Sequence, residues 1–268
     1  MVKINLYILA FGNPLEHVVQ HTLFTIPGTT IEFSNHMLMI LIAAILMLVI
    51  LPLAAHRQAM VPRGLSNFFE AICVFIREEV ARPALGDNTD RFIKYLWTTF
   101  FFILFCNLLG MIPTKGIIYL FSLGKIKQPL GGTPTANIWV TGTLAFLSFI
   151  VVHVSGIRQQ GLWNYIKNFI PKVPWPLIPM MYILEIIGSL VKPFALAIRL
   201  FANMLAGHTV LGALLGLAFM AHSYVIGGAT ILGCAAISLL ELFVALLQAY
   251  IFTFLTAMFI SFAVRPDH

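Results

Sequence analysis

The sequence predicts an all-α membrane protein with several membrane spans, and three observations support this fold class. Hydrophobic residues make up 60% of the chain and charged residues 10%, against about 25% charged in soluble domains. The mean hydropathy is +0.94. Long apolar runs recur without the period-two alternation of a membrane β-barrel, and helices are the other structure that satisfies backbone hydrogen bonds in lipid. We therefore predict a single membrane domain over residues 1–268.

The first clear span is residues 36–55, because an apolar stretch of about 20 residues matches a hydrocarbon core of about 30 Å. The preceding residues 1–35 are mixed in character and receive no functional assignment. Within them, the short apolar stretch 1–11 is followed by no convincing small-residue cleavage site. We expect it to lie along the membrane surface rather than to act as a signal peptide.

Residues 64–83 form an amphipathic segment. At helical spacing its apolar side chains share one face, and Glu70, Arg77 and Glu78 lie on the opposite face. The segment is too charged to span a membrane, so we predict a helix that lies in the membrane interface.

Two further spans are predicted over residues 92–113 and 137–156. The first ends with Asn107, Gly110 and Pro113, and we take Asn107 as a minor candidate for a functional site. The loop between the two spans is rich in Gly, Pro and Lys, which is typical of a connection outside the membrane.

Two apolar runs of more than 40 residues each complete the chain. As a straight helix, each would be roughly 64 Å long, twice the thickness of the bilayer core. Each is therefore either a tight hairpin or one tilted helix. Neither has a strong turn signal near its middle, and residues such as Pro193 bend helices more often than they reverse them. We predict long tilted helices over 176–219 and 223–264, which form an antiparallel pair with a turn near residues 221–224.

The first long run carries polar residues at helical spacing. Glu185, Lys192 and Arg199 are seven residues apart and fall on nearly one stripe, which Asn203 joins one turn later. An arginine at membrane depth costs about 3 kcal/mol on insertion scales. Snorkelling to the headgroups is the alternative, but apolar sequence continues beyond a turn on both sides. Since arginine keeps its proton, it can hold a fixed positive charge but cannot relay protons.

The second long run carries Glu241 and Gln248, again seven residues apart. In the antiparallel pair, His208 and Glu241 lie at similar depth, where an imidazole and a carboxylate can share or pass a proton. Arg199 and Gln248 are also expected to approach each other. Two simpler readings remain open: Gln248 makes only a helix–helix hydrogen bond, and Glu185 is an interfacial carboxylate.

Charge and motifs exclude several classes of function. The net charge of +6 needs no nucleic-acid partner, since a membrane face rich in lysine and arginine explains it. The chain has no GxxxxGK[ST] motif, so we expect it to bind no nucleotide. Its three cysteines are isolated, and we expect neither a metal site nor another cofactor.

The motifs together resemble one family. RLFANMLAGH after Lys192-Pro193, NLLGMIP at the end of the second span, PTAN before the third and LLQAYIFTFLTAMFIS in the last run are similar to the a subunit of F-type ATP synthases. The resemblance implies a non-catalytic membrane stator beside a rotating ring of c subunits. It implies that Arg199 is the essential arginine facing the carboxylate of that ring. The residues that would line or border two aqueous half-channels are Glu185, Asn203, His208, Glu241 and Gln248, with Lys192 and Asn107 as minor candidates. Gly110 stands where some relatives have an acid, so an acidic role is not carried over to it.

The resemblance also sets the expected setting of the chain. Its partners would be the c-ring, the b subunits of the peripheral stalk and the lipid bilayer. Basic residues concentrate after the first and third spans, which places the C-terminus in the cytoplasm and the N-terminus outside. We expect the inner membrane of a bacterium, with the mitochondrial inner membrane as the alternative. Without the resemblance, a standalone proton channel or a proton-coupled secondary transporter would fit the same residues.

Overall fold

The structure is a computed structural model that describes residues 22–25, 32–55, 64–112, 132–168, 174–220 and 224–264. Helices dominate these residues. In chain order the first elements are β1 (Thr22–Thr25), β2 (Glu32–Ser34), α1 (Asn35–Ala55), α2 (Leu65–Phe75), a π-helix (Ile76–Ala81), α3 (Arg82–Leu85) and α4 (Thr89–Met111). They are followed by a 3-10 turn (Pro134–Ala136), α5 (Ile138–Gln160), α6 (Leu162–Asn168), α7 (Ile178–Met220) and α8 (Tyr224–Val264).

Five helical stretches in the described part of the chain are long and apolar enough to cross a membrane. They are Asn35–Ala54, Leu65–Met111, Ile138–Gln160, Ile178–Leu214 and Gly227–Val264. The predicted class, an all-α membrane protein with several spans, is therefore confirmed. The limits of the individual spans within a bilayer, and the interfacial position of residues 64–83, stay predictions.

The two long apolar runs are continuous helices. α7 has 43 residues and passes through Pro193, and α8 has 41 residues. Each run is therefore one helix and not a hairpin, as the absence of a turn signal near its middle indicated. The residues between Met220 and Tyr224, where the turn was predicted, lie outside the described residues.

A short antiparallel strand pair precedes α1. Thr25 of β1 lies opposite Glu32 of β2. The sequence analysis did not predict this pair, because strands of four and three residues are too short to show an alternating pattern. The stretch 1–11, predicted to lie along the membrane surface, lies outside the described residues.

The chain divides into two compact units. Unit 1 consists of Met1–Leu48, Phe102–Val140 and Leu200–Gln248, and unit 2 consists of Val49–Phe101, Thr141–Arg199 and Ala249–His268. Each unit thus contains part of α7 and part of α8. In unit 1 the two helices run antiparallel, since Asn203 pairs with Gln248 and His208 lies beside Glu241. In unit 2, Lys192 lies over the ring of Phe259.

In unit 2, α2 and the π-helix pack antiparallel against the first part of α4. The Trp97 indole donates a hydrogen bond to the Cys73 carbonyl at 3.0 Å, and Arg77 pairs with Asp90 at 2.7 Å. The reversal between the two helices occurs at Gly86, where φ is +54° and glycine avoids the steric penalty of a side chain. No pattern in the sequence predicted this packing.

Candidate functional site

The polar stripe of α7 in unit 2 begins with an ion pair. Lys192 Nζ lies 3.7 Å from Glu185 Oε1, and the two side chains are 44% and 36% exposed. The helix is continuous between them, so residues seven apart lie on one face and the long lysine side chain bridges two turns. Lys192 also lies 5.7 Å from the ring centre of Phe259 on α8.

Arg199 is an exposed residue of α7, next to the exposed Ile198 and one turn or less from buried residues. Leu196 and Ala197 are 2% and 4% exposed, whereas the Arg199 side chain is accessible. Within the described residues, Arg199 makes no hydrogen bond and no ion pair. The guanidinium is therefore available to a group that does not belong to the described part of this chain. The expected approach of Arg199 to Gln248 joins residues of different units and stays a prediction.

A cavity of about 360 Å³ lies beside the ion pair, entirely within unit 2. Its walls come from α5, α6, α7 and the end of α8. The polar side chains on these walls include His153, Gln160, Tyr165, Glu185, Ser189 and Lys192. The cavity therefore combines charged, hydroxyl and imidazole groups with walls that are mainly apolar.

His153 joins α5 to α7 across this cavity. Its Nδ1 lies 3.0 Å from the Phe149 carbonyl oxygen, and its Nε2 lies 3.0 Å from Ser189 Oγ. Because a carbonyl only accepts, Nδ1 carries the proton in the neutral ring, and Nε2 then accepts from the serine hydroxyl. The sequence analysis missed this contact, since a single histidine in an apolar helix gives no spacing signal.

Tyr165, on the short helix α6, forms another part of the wall. Burial, and secondly the negative charge of Glu185, raise the pKa of the Tyr165 phenol above its ordinary value. The phenol therefore stays protonated at neutral pH and can donate a hydrogen bond to a group in the cavity.

In unit 1, α7 and α8 bring His208 and Glu241 together, as their distances from the turn predicted. His208 Nδ1 lies 3.2 Å from Glu241 Oε1, and both side chains are largely buried. Gly207 makes this contact possible: a Cβ atom at this position would lie 2.5 Å from Glu241 Oε1 and 2.9 Å from its Cδ. The imidazole and the carboxyl group lie within ion-pair distance of each other, although Glu241 Oε1 has no aligned hydrogen bond among the described residues.

Two amides form a second pair between the same helices. Asn203 Nδ2 donates to Gln248 Oε1 at 2.9 Å, and Gln248 is 2% exposed. The helix–helix hydrogen bond expected of Gln248 is therefore present. Gln248 Nε2 is buried, and within the described residues it has no hydrogen-bond partner.

Asn107, the minor candidate, is fully buried near the end of α4. Its Nδ2 donates to the Ala245 carbonyl on α8 at 3.3 Å, while its Oδ1 has no partner among the described residues. Asn107 thus links α4 to α8 and leaves an acceptor available for a water molecule.

Thr133 also belongs to the polar residues of unit 1 that surround His208, and it was not among the residues predicted from the sequence. Its hydroxyl contacts His208 Nε2 and lies 3.2 Å from the Gly110 carbonyl oxygen. Thr133 directly precedes the PTA turn that leads into α5, so the PTAN motif was the available signal. The contact itself joins residues 75 positions apart and could not be read from spacing.

Among the described residues, no cluster of three His, Cys, Asp or Glu side chains could hold a metal ion.

Comparisons with known proteins match most of the chain. The family model described as ATP synthase A chain matches residues 37–261. ATP synthase subunit a 2 of Chlorobaculum tepidum is 41% identical over 89% of this chain and 65% of its own length. ATP synthase subunit a of Anaeromyxobacter sp. strain Fw109-5 is 41% identical over 85% of this chain and 53% of its own length. ATP synthase subunit a of Myxococcus xanthus is 40% identical over 89% and 75%.

The chain spans about half to two thirds of the length of the first relatives it matches. These relatives are bacterial, and with the membrane-length helices they support a bacterial membrane protein. The matched region includes the polar residues of α7 and α8 described above, both those beside the cavity of unit 2 and those around His208 and Glu241 in unit 1. The chain belongs to the ATP synthase A chain family.

Proposed function

We propose that this chain is the proton-translocating stator subunit of the Fo membrane sector of ATP synthase, and that it performs no catalysis itself. The observation that carries the proposal is Arg199: an exposed guanidinium on an apolar helix, without a hydrogen bond or ion pair among the described residues. Membership of the ATP synthase A chain family supplies the setting in which such a charge has a partner.

The charge of Arg199 is permanent, because a guanidinium does not lose its proton in proteins. Placing it in a membrane costs about 3 kcal/mol or more, and an opposite charge offsets that cost. A ring of c subunits would supply one carboxylate after another. Arg199 would favour the deprotonated state of the carboxylate nearest to it and would exclude other cations from passing.

One half-channel is proposed to be lined by the polar residues of unit 1, namely Asn203, His208, Glu241 and Gln248. His208 and Glu241 lie in direct contact and can pass a proton to a carboxylate of the ring. Asn203 and Gln248 border the path. The buried Asn107 Oδ1 and Gln248 Nε2 lack protein partners in the described part of the chain, and each would cost about 1–3 kcal/mol if left dry. Both atoms therefore favour ordered water beside the His208–Glu241 pair.

The cavity of unit 2 is proposed as the second half-channel. Its volume of about 360 Å³ has room for several water molecules. Glu185 can accept a proton that leaves the ring, and Lys192 keeps a positive charge 3.7 Å from that carboxylate. Since the lining combines charged and neutral polar groups, a proton can leave through water rather than along a single fixed chain.

A proton would cross only by riding on a ring carboxylate between the two half-channels. It would be delivered in one half-channel, carried through nearly a full rotation and released in the other when the carboxylate reaches Arg199. Each charge that crosses is worth about 2.3 kcal/mol per 100 mV of membrane potential. A direct leak would waste this energy, and the positive charge of Arg199 opposes such a leak.

The proposed partners are the c-ring, the b subunits of the peripheral stalk and the lipid bilayer. The proposed location is the bacterial inner membrane, with the N-terminus outside and the C-terminus in the cytoplasm. The excess of arginine and lysine after the first and third predicted spans favours this orientation.

Coupled proton pumping tests the proposal. In membrane vesicles that contain the whole complex, Arg199→Ala is expected to abolish ATP-driven proton uptake and ATP synthesis. Arg199→Lys is expected to lose most of both, because an ammonium lacks the planar fork of arginine and can deprotonate. Arg158→Ala is the matched control, since Arg158 is another exposed arginine on a long helix and we expect normal coupling.

Near-normal coupling in Arg199→Ala, with the complex assembled, would contradict the proposed function. Co-purification is an independent check. A ring of small hairpin subunits should accompany this chain in mild detergent, whereas a standalone channel or a secondary transporter would purify without one.

A further inference from the structure

Thr133 links the end of α4 to His208 within unit 1. Its side chain is buried, its hydroxyl oxygen lies 3.2 Å from the Gly110 carbonyl oxygen, and it also forms a hydrogen bond with His208 Nε2. A hydroxyl has one hydrogen, and a carbonyl oxygen can only accept. The hydrogen therefore points to Gly110, and towards His208 the hydroxyl is the acceptor.

The position of Gly110 explains why the hydroxyl points this way. Gly110 lies in the last turn of α4, and the last four carbonyls of a helix have no amide partner within it. The Thr133 hydroxyl supplies such a donor. Glycine also gives the threonine room, because a Cβ atom at Gly110 would lie 2.9 Å from both Cβ and Oγ1 of Thr133.

The acceptor at Nε2 determines the state of the His208 ring. A neutral imidazole carries one proton, and the hydrogen bond at one nitrogen fixes which nitrogen has it. With Thr133 accepting, Nε2 is protonated and Nδ1 presents its lone pair. Nδ1 is the atom that lies 3.2 Å from Glu241 Oε1.

We propose that Thr133 is a positioning residue that holds the neutral His208 with its proton on Nε2, so that Nδ1 exchanges a proton with Glu241. A protonated Glu241 donates its O–H to Nδ1; transfer breaks the O–H bond, forms an N–H bond, and leaves a carboxylate beside an imidazolium. The reverse transfer restores both groups, and the Nε2–H bond does not change. Glu241 on α8 is the titratable group in this exchange, and Gly110 and Thr133 carry no charge.

The proposal rests on the proposed function, in which this pair carries protons, but it can be tested without measuring transport. The sequence contains eight histidines and one Gly–His step, at Gly207–His208. Labelling glycine with ¹³C at the carbonyl and histidine with ¹⁵N in this chain alone, assembled with unlabelled partner subunits, therefore selects His208 in solid-state NMR of the complex. The ring ¹⁵N shifts then show which nitrogen carries the proton in the neutral ring. We expect Nε2, and a neutral ring protonated mainly on Nδ1 would overturn the proposal.

Two variants and a control separate positioning from packing. Thr133→Val keeps the shape but removes the acceptor, so the neutral ring is expected to shift towards Nδ1–H and passive proton flux to fall. Thr133→Ser keeps the hydroxyl and is expected to restore both readouts. Thr135→Val, two residues away in the same turn and fully buried, is the matched control and should keep the tautomer of the wild type.

An unchanged tautomer in Thr133→Val would overturn the proposal even if flux falls, because the effect would then come from packing. If Thr133→Val does not assemble, the measurement on the wild type decides alone. Failure of the proposed function has a different signature: normal coupling in Arg199→Ala, whatever the tautomer of His208.

Discussion

The polar residues of α7 have different surroundings in the two units, and α8 makes the difference. In unit 1, α8 places Glu241 and Gln248 opposite His208 and Asn203, so polar groups bind one another directly. In unit 2, α8 places Phe259 beside Lys192, and an open cavity remains next to the Glu185–Lys192 pair. The sequence of polar residues on α7 alone therefore does not determine the surroundings in which each of them acts. The facing helix decides whether the polar groups of α7 meet other fixed side chains or an open space.

The largest effect expected from this comparison separates two glycines of α7. In Gly207→Ala, the new methyl group would lie too close to the Glu241 carboxyl group, 2.5 Å from Oε1 and 2.9 Å from Cδ. Glu241 must move away from His208, and a displacement of about 1 Å at a reacting group can cost about a hundredfold in rate. We expect a fall of that order in ATP-driven proton uptake by vesicles.

Gly188→Ala is the control for this experiment. A Cβ atom at Gly188 meets nothing within 4 Å, so proton uptake should stay near the level of the wild type. Equal losses in the two variants would show that the close approach at Gly207 is not what supports activity.

Double-mutant cycles on passive proton flux test the difference between the buried His208–Glu241 pair of unit 1 and the exposed Glu185–Lys192 pair of unit 2. His208→Gln and Glu241→Gln should be strongly non-additive, with a coupling energy above about 1 kcal/mol, because the pair is buried and in contact. Glu185→Gln and Lys192→Gln should couple by less than about 0.5 kcal/mol, since both side chains are substantially exposed. Additivity in the first cycle, or strong coupling in the second, would break the distinction between paired and open sites.

The Asn203–Gln248 amide pair, which borders the proposed half-channel, is also expected to contribute to stability. Asn203→Leu leaves the buried Gln248 carbonyl without its donor, and interhelical hydrogen bonds in membranes are worth about 1 kcal/mol. We expect a lower unfolding temperature of the purified complex in detergent, partly recovered in the double variant Asn203→Leu with Gln248→Leu. Thr209→Val is the control, because Thr209 bonds to the Leu205 carbonyl of its own helix. A double variant less stable than either single variant would contradict this expectation.

The smallest effect concerns Tyr165 in the wall of the cavity. Its raised pKa means that the folded protein prefers the neutral phenol. Any stability from this preference is fully present below the ordinary tyrosine pKa of about 10 and is lost as the pH rises through the higher folded value. The absorbance titration of wild type minus Tyr165→Phe should show ionisation above pH 10, and Glu185→Gln should move it down. A difference titration centred at or below pH 10 would contradict the effect of burial.

Spacing rules predicted the parts of the site that depend on one helix or on one pair of helices. The seven-residue step from Glu185 to Lys192 predicted a shared face, and the ion pair between them confirms it. The distances of His208 and Glu241 from the turn predicted their contact. Both inferences need only helical geometry and an antiparallel pair, which hydrophobic runs reveal.

Contacts that depend on the packing of a third helix could not be predicted in this way. Thr133 reaches His208 from the segment before α5, and His153 reaches Ser189 from α5 itself. Their sequence separations are 75 and 36 residues, and no period in the sequence fixes how α5 is rotated. The antiparallel packing of α2 on α4 was missed for the same reason, because amphipathicity defines a face without identifying what covers it.

The π-helix Ile76–Ala81 affects how the packing of α2 on α4 responds to the deletion of a residue. A π-turn holds one residue more than an α-turn, and here it directs Ile76, Val80 and Ala81 inward, while Phe68 and Phe75 of α2 remain exposed. Deleting a single residue from it would turn the π-turn into an ordinary α-turn and leave the flanking faces in place, whereas deleting a residue from the α-helical part of α2 would rotate the preceding residues by about 100°. A single-residue deletion should therefore be tolerated better within Ile76–Ala81 than within Leu65–Phe75.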